Sequence, residues 1–101
     1  MIFVQGTMNM ETGCLDDFRR DVSAMIDKVK AEDGCHFYSL VVEDEASGLV
    51  NVIEQWRDDE ALGVHFTMPW IAEFFAKYSP KMLASTVQIF DISGEPRPLP
   101  I

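Results

Sequence analysis

His65 is the side chain in this sequence that is best suited to proton transfer, and aromatic residues surround it. The segment from Glu54 to Phe66, EQWRDDEALGVHF, joins the end of a predicted strand to a short amphipathic helix. An imidazole has an unperturbed pKa of about 6.5, so removal from bulk water can tune it as a general base. On the helix, His65 shares a face with Leu62 and Phe66. The alternative is a core histidine that a backbone carbonyl satisfies.

Asn51 is the second polar candidate, because it interrupts the apolar run Val50 to Ile53 of a predicted strand. A buried amide needs a partner, either a substrate oxygen or a neighbouring strand or subunit. Alternation along the strand puts Trp56 on the face opposite Asn51, so the two share a cavity only if a bulge intervenes. We interpret Glu54 as a structural side chain, hydrogen-bonded across the sheet or a dimer.

Aromatic side chains that follow Asn51 are candidates for the walls of a substrate pocket. At helical spacing, such residues pack in a core more often than around a pocket, and both alternatives stay open. The candidates are Trp56, Phe66, Trp70, Phe74 and Tyr78.

The charge balance excludes several classes of partner. The 101 residues carry a formal net charge of -9, from 17 acidic and 8 basic side chains. Such a surface disfavours the phosphate backbone of nucleic acids and an anionic membrane. No segment approaches a membrane span, and the N-terminus lacks the basic region of a signal peptide. We therefore expect a cytoplasmic protein with a small apolar or aromatic ligand, and neither nucleic acid nor membrane as a partner.

The sequence predicts no metal and no cofactor. His36 and His65 lack the spacing of a zinc or iron site, and Cys14 and Cys35 are too far apart in sequence for a ligand pair. No glycine-rich loop follows a strand and opens a helix, so dinucleotide binding is not expected.

The hydrophobic pattern predicts the order β-α-β-β-α-β, the ferredoxin-like arrangement of the α+β class. The first helix should end near Gly34, and residues 44–48 should form a hairpin turn. The second helical region falls into two pieces, one capped by Asp58 or Asp59 and one that begins at Pro69. The predicted strands cover residues 2–9, 36–43, 49–57 and 85–92.

The predicted strands carry apolar residues on both faces. Phe37 and Val41 alternate with Tyr38, Leu40 and Val42. Because two helices cover only one face of such a sheet, we expect the other face to pack on a second copy in an isologous homodimer.

We expect residues 1–93 to form one domain and residues 94–101 to form an extended, proline-rich C-terminal tail. The tail either embraces a partner subunit or is disordered.

Two motifs resemble the antibiotic biosynthesis monooxygenase family, the small dimeric α+β-barrel proteins that include quinol monooxygenases. The stretch Glu32 to Tyr38, EDGCHFY, is similar to the family's Glu-x-Gly-Cys-x-x-Tyr passage from the first helix into the second strand. The stretch Glu54 to Trp56, followed by Asp59, Ala61-Leu62 and His65, is similar to its strand-to-helix motif. With the element order, the resemblance covers residues 1 to 92 and implies a ferredoxin-like subunit in a homodimeric α+β barrel.

The resemblance implies cofactor-independent monooxygenation of a small aromatic hydroquinone or phenol by dioxygen. His65 would take or relay the phenolic proton, and Asn51 would orient oxygen atoms. The chain departs from the family's haem-degrading pattern, since Thr7 and Phe75 stand about where that pattern has an asparagine and a histidine. The alternatives are an isomerase of a small dicarbonyl, for which Arg57 is the one basic residue near the motif, and a non-catalytic dimeric binding module.

Overall fold

A five-stranded antiparallel sheet with helices on one face makes up the chain, and the computed structural model describes residues 1–101. The predicted α+β, ferredoxin-like class is confirmed. The elements are β1 (Ile2–Met10), α1 (Leu15–Lys30), β2 (Cys35–Asp44), β3 (Leu49–Trp56), α2 (Asp59–His65), α3 (Pro69–Tyr78), β4 (Met82–Ser85) and β5 (Gln88–Asp91).

The strand order is β2-β3-β1-β4, and β5 also pairs with β1. All pairings are antiparallel. Helix α1 connects β1 to β2, and β3 lies between these two strands, as in a split β-α-β unit. The β1–β3 ladder runs from Ile2 opposite Trp56 to Asn9 opposite Leu49. This ladder forms the floor on which the helices pack.

Helix α1 is amphipathic and buries one stripe of side chains against the sheet. Acidic residues lie in its first turn and lysines in its last turn, where each charge favours the helix dipole. The helix ends at Lys30, earlier than the predicted end near Gly34, and Gly34 instead lies at the end of the turn that leads into β2, with φ at +84°. A Cβ at Gly34 would lie 2.5 Å from the Cβ of Ala61. The buried stripe consists of Leu15, Phe18, Val22, Met25 and Val29.

The second helical region has the two predicted pieces. The Asp58 side chain accepts a hydrogen bond of 2.9 Å from the backbone N–H of Ala61 and so caps α2. Pro69 occupies the first turn of α3, where its missing N–H leaves no hydrogen bond unmade. These two features orient the short helix α2, which carries His65 in its last turn.

The predicted single strand over residues 85–92 is wrong, because two short strands replace it. The chain leaves the ladder between β4 and β5, where Thr7 N–H donates to Oγ1 of Thr86 at 3.2 Å rather than to a backbone carbonyl. Gly6 lies below this break with φ at +154°, and a Cβ there would come within 2.6 Å of the carbonyl oxygen of Thr86. A close backbone approach over a glycine therefore interrupts the strand.

The two faces of the sheet differ in what covers them. The helices bury the first, which we call the covered face, and its fully enclosed side chains include Trp56 and Met10. The second, which we call the open face, has no covering element. Its side chains include five apolar residues that are between 37% and 54% exposed: Phe3, Phe37, Val41, Ile53 and Phe90.

Residues 94–101 form neither helix nor strand and are exposed. None of the helices combines the length and the apolar composition that a membrane span requires.

Candidate active site

A cavity of about 140 Å³ lies between the covered face and the helices. Thirteen of its 17 lining residues are hydrophobic, and none is a lysine or an arginine. The polar groups in its wall are few: the four remaining side chains, Glu54, His65, Ser79 and Ser85, and the hydroxyls of Tyr38 and Tyr78, which are counted among the thirteen. An apolar space with a few convergent polar groups is the usual form of a small-molecule site.

His65 is 1% exposed and is held by a buried carboxylate. Its Nδ1 lies 3.0 Å from each carboxylate oxygen of Glu32. A carboxylate accepts hydrogen bonds, so this pairing assigns the proton to Nδ1 and leaves Nε2 as an acceptor. Nε2 has no hydrogen-bond partner. Every fully buried side-chain nitrogen or oxygen in the chain has one, so Nε2 is not fully buried. Nε2 therefore reaches the surface of the cavity that His65 lines.

The protein holds the Glu32–His65 pair from several directions. The indole N–H of Trp70 donates to Oε2 of Glu32 at 3.0 Å, so this carboxylate accepts from two side chains. The His65 ring packs against Trp56 at a centroid distance of 4.6 Å and against Tyr38 at 5.4 Å. The partner of His65 is thus a side-chain carboxylate, and the expected alternative of a backbone carbonyl is wrong.

Glu54 is a second buried carboxyl group in the cavity wall, 7% exposed. Its Oε1 accepts a hydrogen bond of 2.9 Å from the indole N–H of Trp56, two residues along the same strand. Its Oε2 has no partner and, by the same argument as for Nε2 of His65, opens on the cavity. The predicted hydrogen bond across the sheet is replaced by this contact within β3.

Burial sets the protonation of these groups. It lowers the pKa of His65, against the opposing pull of Glu32, so the imidazole is neutral near pH 7. It raises the pKa of Glu54 to about 7, with the Trp56 hydrogen bond opposing this rise and Glu32 adding to it. It also raises the pKa of Tyr38, to which the two nearby carboxylates contribute, so this phenol stays protonated. The site therefore combines a neutral base, a titratable acid and a hydroxyl donor.

The five predicted aromatic walls divide into two groups. Phe66, Phe74 and Tyr78 line the cavity as expected. Trp56 and Trp70 do not line it: Trp56 is completely buried behind the imidazole, and Trp70 lies outside, where it binds Glu32. The two tryptophans support the polar groups rather than forming walls, which corrects the prediction for both.

Asn51 lies on the open face, on the opposite side of the sheet from His65. Its side chain borders a shallow depression with Thr7 and Gln88 and makes no hydrogen bond within the chain. The alternation of β3 therefore holds, and Asn51 and Trp56 point to different faces, since no bulge intervenes in the β1–β3 ladder. The prediction that Asn51 orients oxygen atoms beside His65 is not compatible with this placement.

Sequence reasoning did not identify Glu32, Tyr38 and Glu54 as members of the site. Alternation could have indicated Glu54, because it shares its parity with Val50 and Val52 and must point to the same apolar face. Glu32 and Tyr38 begin and end the EDGCHFY motif, which indicated the fold but was not assigned to the site.

Arg57, the basic residue nearest the motif, points away from the cavity. Its guanidinium pairs with Asp33 at 3.2 Å and Asp58 at 3.3 Å and is about half exposed. No group of three or more His, Cys, Asp or Glu side chains is close enough together to hold a metal ion.

Comparison with known proteins gives the family. The family model described as antibiotic biosynthesis monooxygenase matches residues 1–77. An uncharacterized protein of Synechocystis sp. is 30% identical over 88 residues, which are 87% of this chain, and the chain spans only 59% of that protein's length.

Two solved structures illustrate the shared fold. Rv0793 of Mycobacterium tuberculosis superposes with a TM-score of 0.79 at 24% identity, over 93% of this chain and 96% of its own. PA3566 of Pseudomonas aeruginosa superposes with a TM-score of 0.78 at 25% identity, over 92% of this chain and 94% of its own. With the family model matching more than half of its length, this chain belongs to the antibiotic biosynthesis monooxygenase family.

Proposed function

We propose that this chain is a cofactor-independent monooxygenase that oxidises a small aromatic hydroquinone or phenol with dioxygen. One observation carries the proposal: Glu32 holds Nδ1 of His65, so that Nε2 faces an apolar cavity as a free acceptor. Family membership supports the reaction class, and the site supports the kind of substrate.

His65 takes the phenolic proton on Nε2 and becomes an imidazolium whose charge the Glu32 carboxylate balances. The resulting phenolate is electron-rich and reduces dioxygen. One oxygen atom forms a bond to a ring carbon and the other leaves as water, so that a phenol and O2 give a quinone and H2O. A hydroquinone and O2 give a hydroxyquinone and H2O in the same way. The ring supplies all four electrons.

The cavity walls contribute by excluding water. Phe66, Phe74 and Tyr78 form apolar surface around the imidazole. Removal of bulk water strengthens the interaction between the imidazolium and its carboxylate and protects a reduced oxygen intermediate from stray protons.

Dioxygen consumption with a panel of reduced quinols and phenols, corrected for autoxidation, tests the proposal. His65→Gln keeps an N–H donor for Glu32 but lacks the base, so kcat/KM should fall on the order of a hundredfold or more. Asn51→Ala is the control on the open face and should change kcat/KM by less than about twofold, because it removes no contact to the cavity. Full activity in His65→Gln would refute the role of the base.

Absence of enzyme-dependent oxygen uptake across the panel would refute the oxygenase. Ligand turnover without oxygen would then indicate an isomerase, and binding without turnover would indicate a non-catalytic module. The isomerase has less support, because a phosphorylated dicarbonyl needs a cation and Arg57 is engaged by Asp33 and Asp58.

We also propose that two copies associate through their open faces. The five half-exposed apolar side chains of that face, Phe3 and Phe90 among them, form a surface that seldom faces water in a monomer. Light scattering at micromolar concentration should give twice the chain mass of 11.4 kDa. Ile53→Asp, at the centre of the face, should give a folded monomer. A monomeric wild type would refute the association.

A further inference from the structure

Glu54 lies in the cavity wall but has no role in the proposed proton transfer. The Trp56 indole fixes its Oε1, and its Oε2 opens on the same space as Nε2 of His65. Two acceptors in one apolar cavity each lose water when a ligand fills it, and an acceptor left unpaired in that state weakens binding. A ligand that pairs with both must donate two hydrogen bonds.

The charge in the cavity restricts the ligand further. The wall has no lysine or arginine, and it contains Glu54 and, behind His65, Glu32. A carboxylate or phosphate on the ligand would meet these negative charges without a compensating cation, at short distance and away from bulk water. The site should therefore reject anionic analogues.

The volume of the cavity limits the size of the ligand. An apolar cavity of about 150 Å³ holds one benzene ring, and the space here is about 140 Å³. The space therefore accommodates a single ring, whose small substituents extend toward the open side of the cavity, whereas a fused two-ring system would extend well beyond it.

From these three features we propose that Glu54 is a specificity-determining residue that accepts a hydrogen bond from the ligand, and that the cavity selects an uncharged, single-ring aromatic diol. One hydroxyl reaches Nε2 of His65 and the other reaches Oε2 of Glu54. The Tyr38 hydroxyl, which also lines the cavity without a partner, donates to one of the two ligand oxygens. This inference rests on the proposed function for its site, but its test needs no turnover.

The test is anaerobic binding, measured by calorimetry at a pH of about 8.5, where Glu54 with its pKa of about 7 is ionised. The probes are catechol, resorcinol and hydroquinone, the monomethyl ether of each, a dihydroxybenzoate and a dihydroxynaphthalene. At least one benzenediol should bind about tenfold tighter than its own methyl ether, which cannot donate to both acceptors. The benzoate and the naphthalene should bind at least about tenfold more weakly than that diol.

Glu54→Gln sharpens the result, because its amide oxygen still accepts from Trp56 while its NH2 group donates into the cavity. An ether oxygen can accept from that group, so the preference for the diol over its methyl ether should fall to about twofold or less. Glu60→Gln, which removes the same charge from an exposed position of α2, should keep the wild-type preference.

Equal binding of diols and methyl ethers by the wild type overturns the inference without need of a variant. An unchanged preference in folded Glu54→Gln overturns it as well, and so does tight binding of the benzoate or the naphthalene. Selective binding of a diol without oxygen uptake would support the inference and refute the proposed function. Oxygen uptake without selective binding would do the reverse.

Discussion

The covered and open faces of the sheet are built from the same strands but differ in the kind of polar group that they carry. Between the covered face and the helices lie three ionisable side chains, Glu54 from β3, His65 from α2 and Glu32 from the turn after α1, enclosed by apolar residues and tryptophans. The open face holds uncharged amides such as Asn51 among exposed apolar side chains. Burial shifts the pKa values of His65 and Glu54. We therefore place the proposed chemistry on the covered side of the sheet and the proposed association on the open face.

A valine-to-aspartate substitution on each face should give the largest difference in the free energy of unfolding. Val50 is completely buried and Val41 is 54% exposed, on neighbouring strands. Val50→Asp places an unpaired charge in the core and should cost at least about 4 kcal/mol in the free energy of unfolding. Val41→Asp should cost no more than about 1 kcal/mol in the monomer. Urea unfolding at low protein concentration measures both, and similar losses would break the distinction between the faces.

Glu54 should give the covered face an unusual dependence of stability on pH. Its pKa is raised to about 7 in the folded chain, from an ordinary value of 4.5, so the folded state binds the proton more tightly. The contribution of Glu54 to the free energy of unfolding is fully present below pH 4.5 and is lost as the pH rises through about 7. Between pH 5 and pH 8 the loss should be roughly 2 to 3 kcal/mol. His65 acts in the opposite direction, because its lowered pKa weakens the fold as the pH falls below its ordinary value of 6.5.

Glu54→Gln isolates this contribution. The free energy of unfolding of the variant minus that of the wild type should be larger at pH 8 than at pH 5. The reason is that the amide does not ionise in the cavity wall. The control is again Glu60→Gln, which should reproduce the wild-type slope of unfolding free energy against pH. A parallel slope in Glu54→Gln would mean that Glu54 is hydrated in the folded chain.

The tail provides the smallest expected effect. Residues 94–101 are exposed throughout and belong to neither face. Their removal should change the free energy of unfolding of the monomer by less than about 0.5 kcal/mol, as measured by urea unfolding. A larger loss would show that the tail packs on the subunit, and a weaker dimer without loss of monomer stability would show that it holds the partner.

Local pattern predicted most of the fold. The spacing of Phe18, Val22 and Met25 defined α1, and the pair Asp58 and Pro69 placed the starts of α2 and α3. The break between β4 and β5 could not be predicted in the same way, since it depends on Gly6, 80 residues earlier than Thr86, where the two backbones meet. Contacts that are distant in sequence leave no periodic signal.

The candidate site was predicted only in part, because some of its residues follow a local pattern and others meet through contacts distant in sequence. His65, Phe66, Phe74 and Tyr78 follow helical spacing and line the cavity. Glu32 stands in the motif that carries the family resemblance, but its place beside His65 depends on the turn after α1 passing beside the last turn of α2, a contact between segments distant in sequence. The two tryptophans were assigned to walls as aromatic side chains, whereas in the structure their indole N–H groups donate to buried carboxylates.

The break over Gly6 also affects how a ligand exchanges with solvent. Ser85 at the end of β4 and Val87 just before β5 flank the break and line the cavity, and both strands are four residues long and largely exposed. Short exposed elements open locally at a lower free energy than the core unfolds. The cavity can therefore fill and empty through fluctuations of this edge while α1 and the β1–β3 ladder stay intact, so that ligand residence time and global stability are set by different parts of the chain.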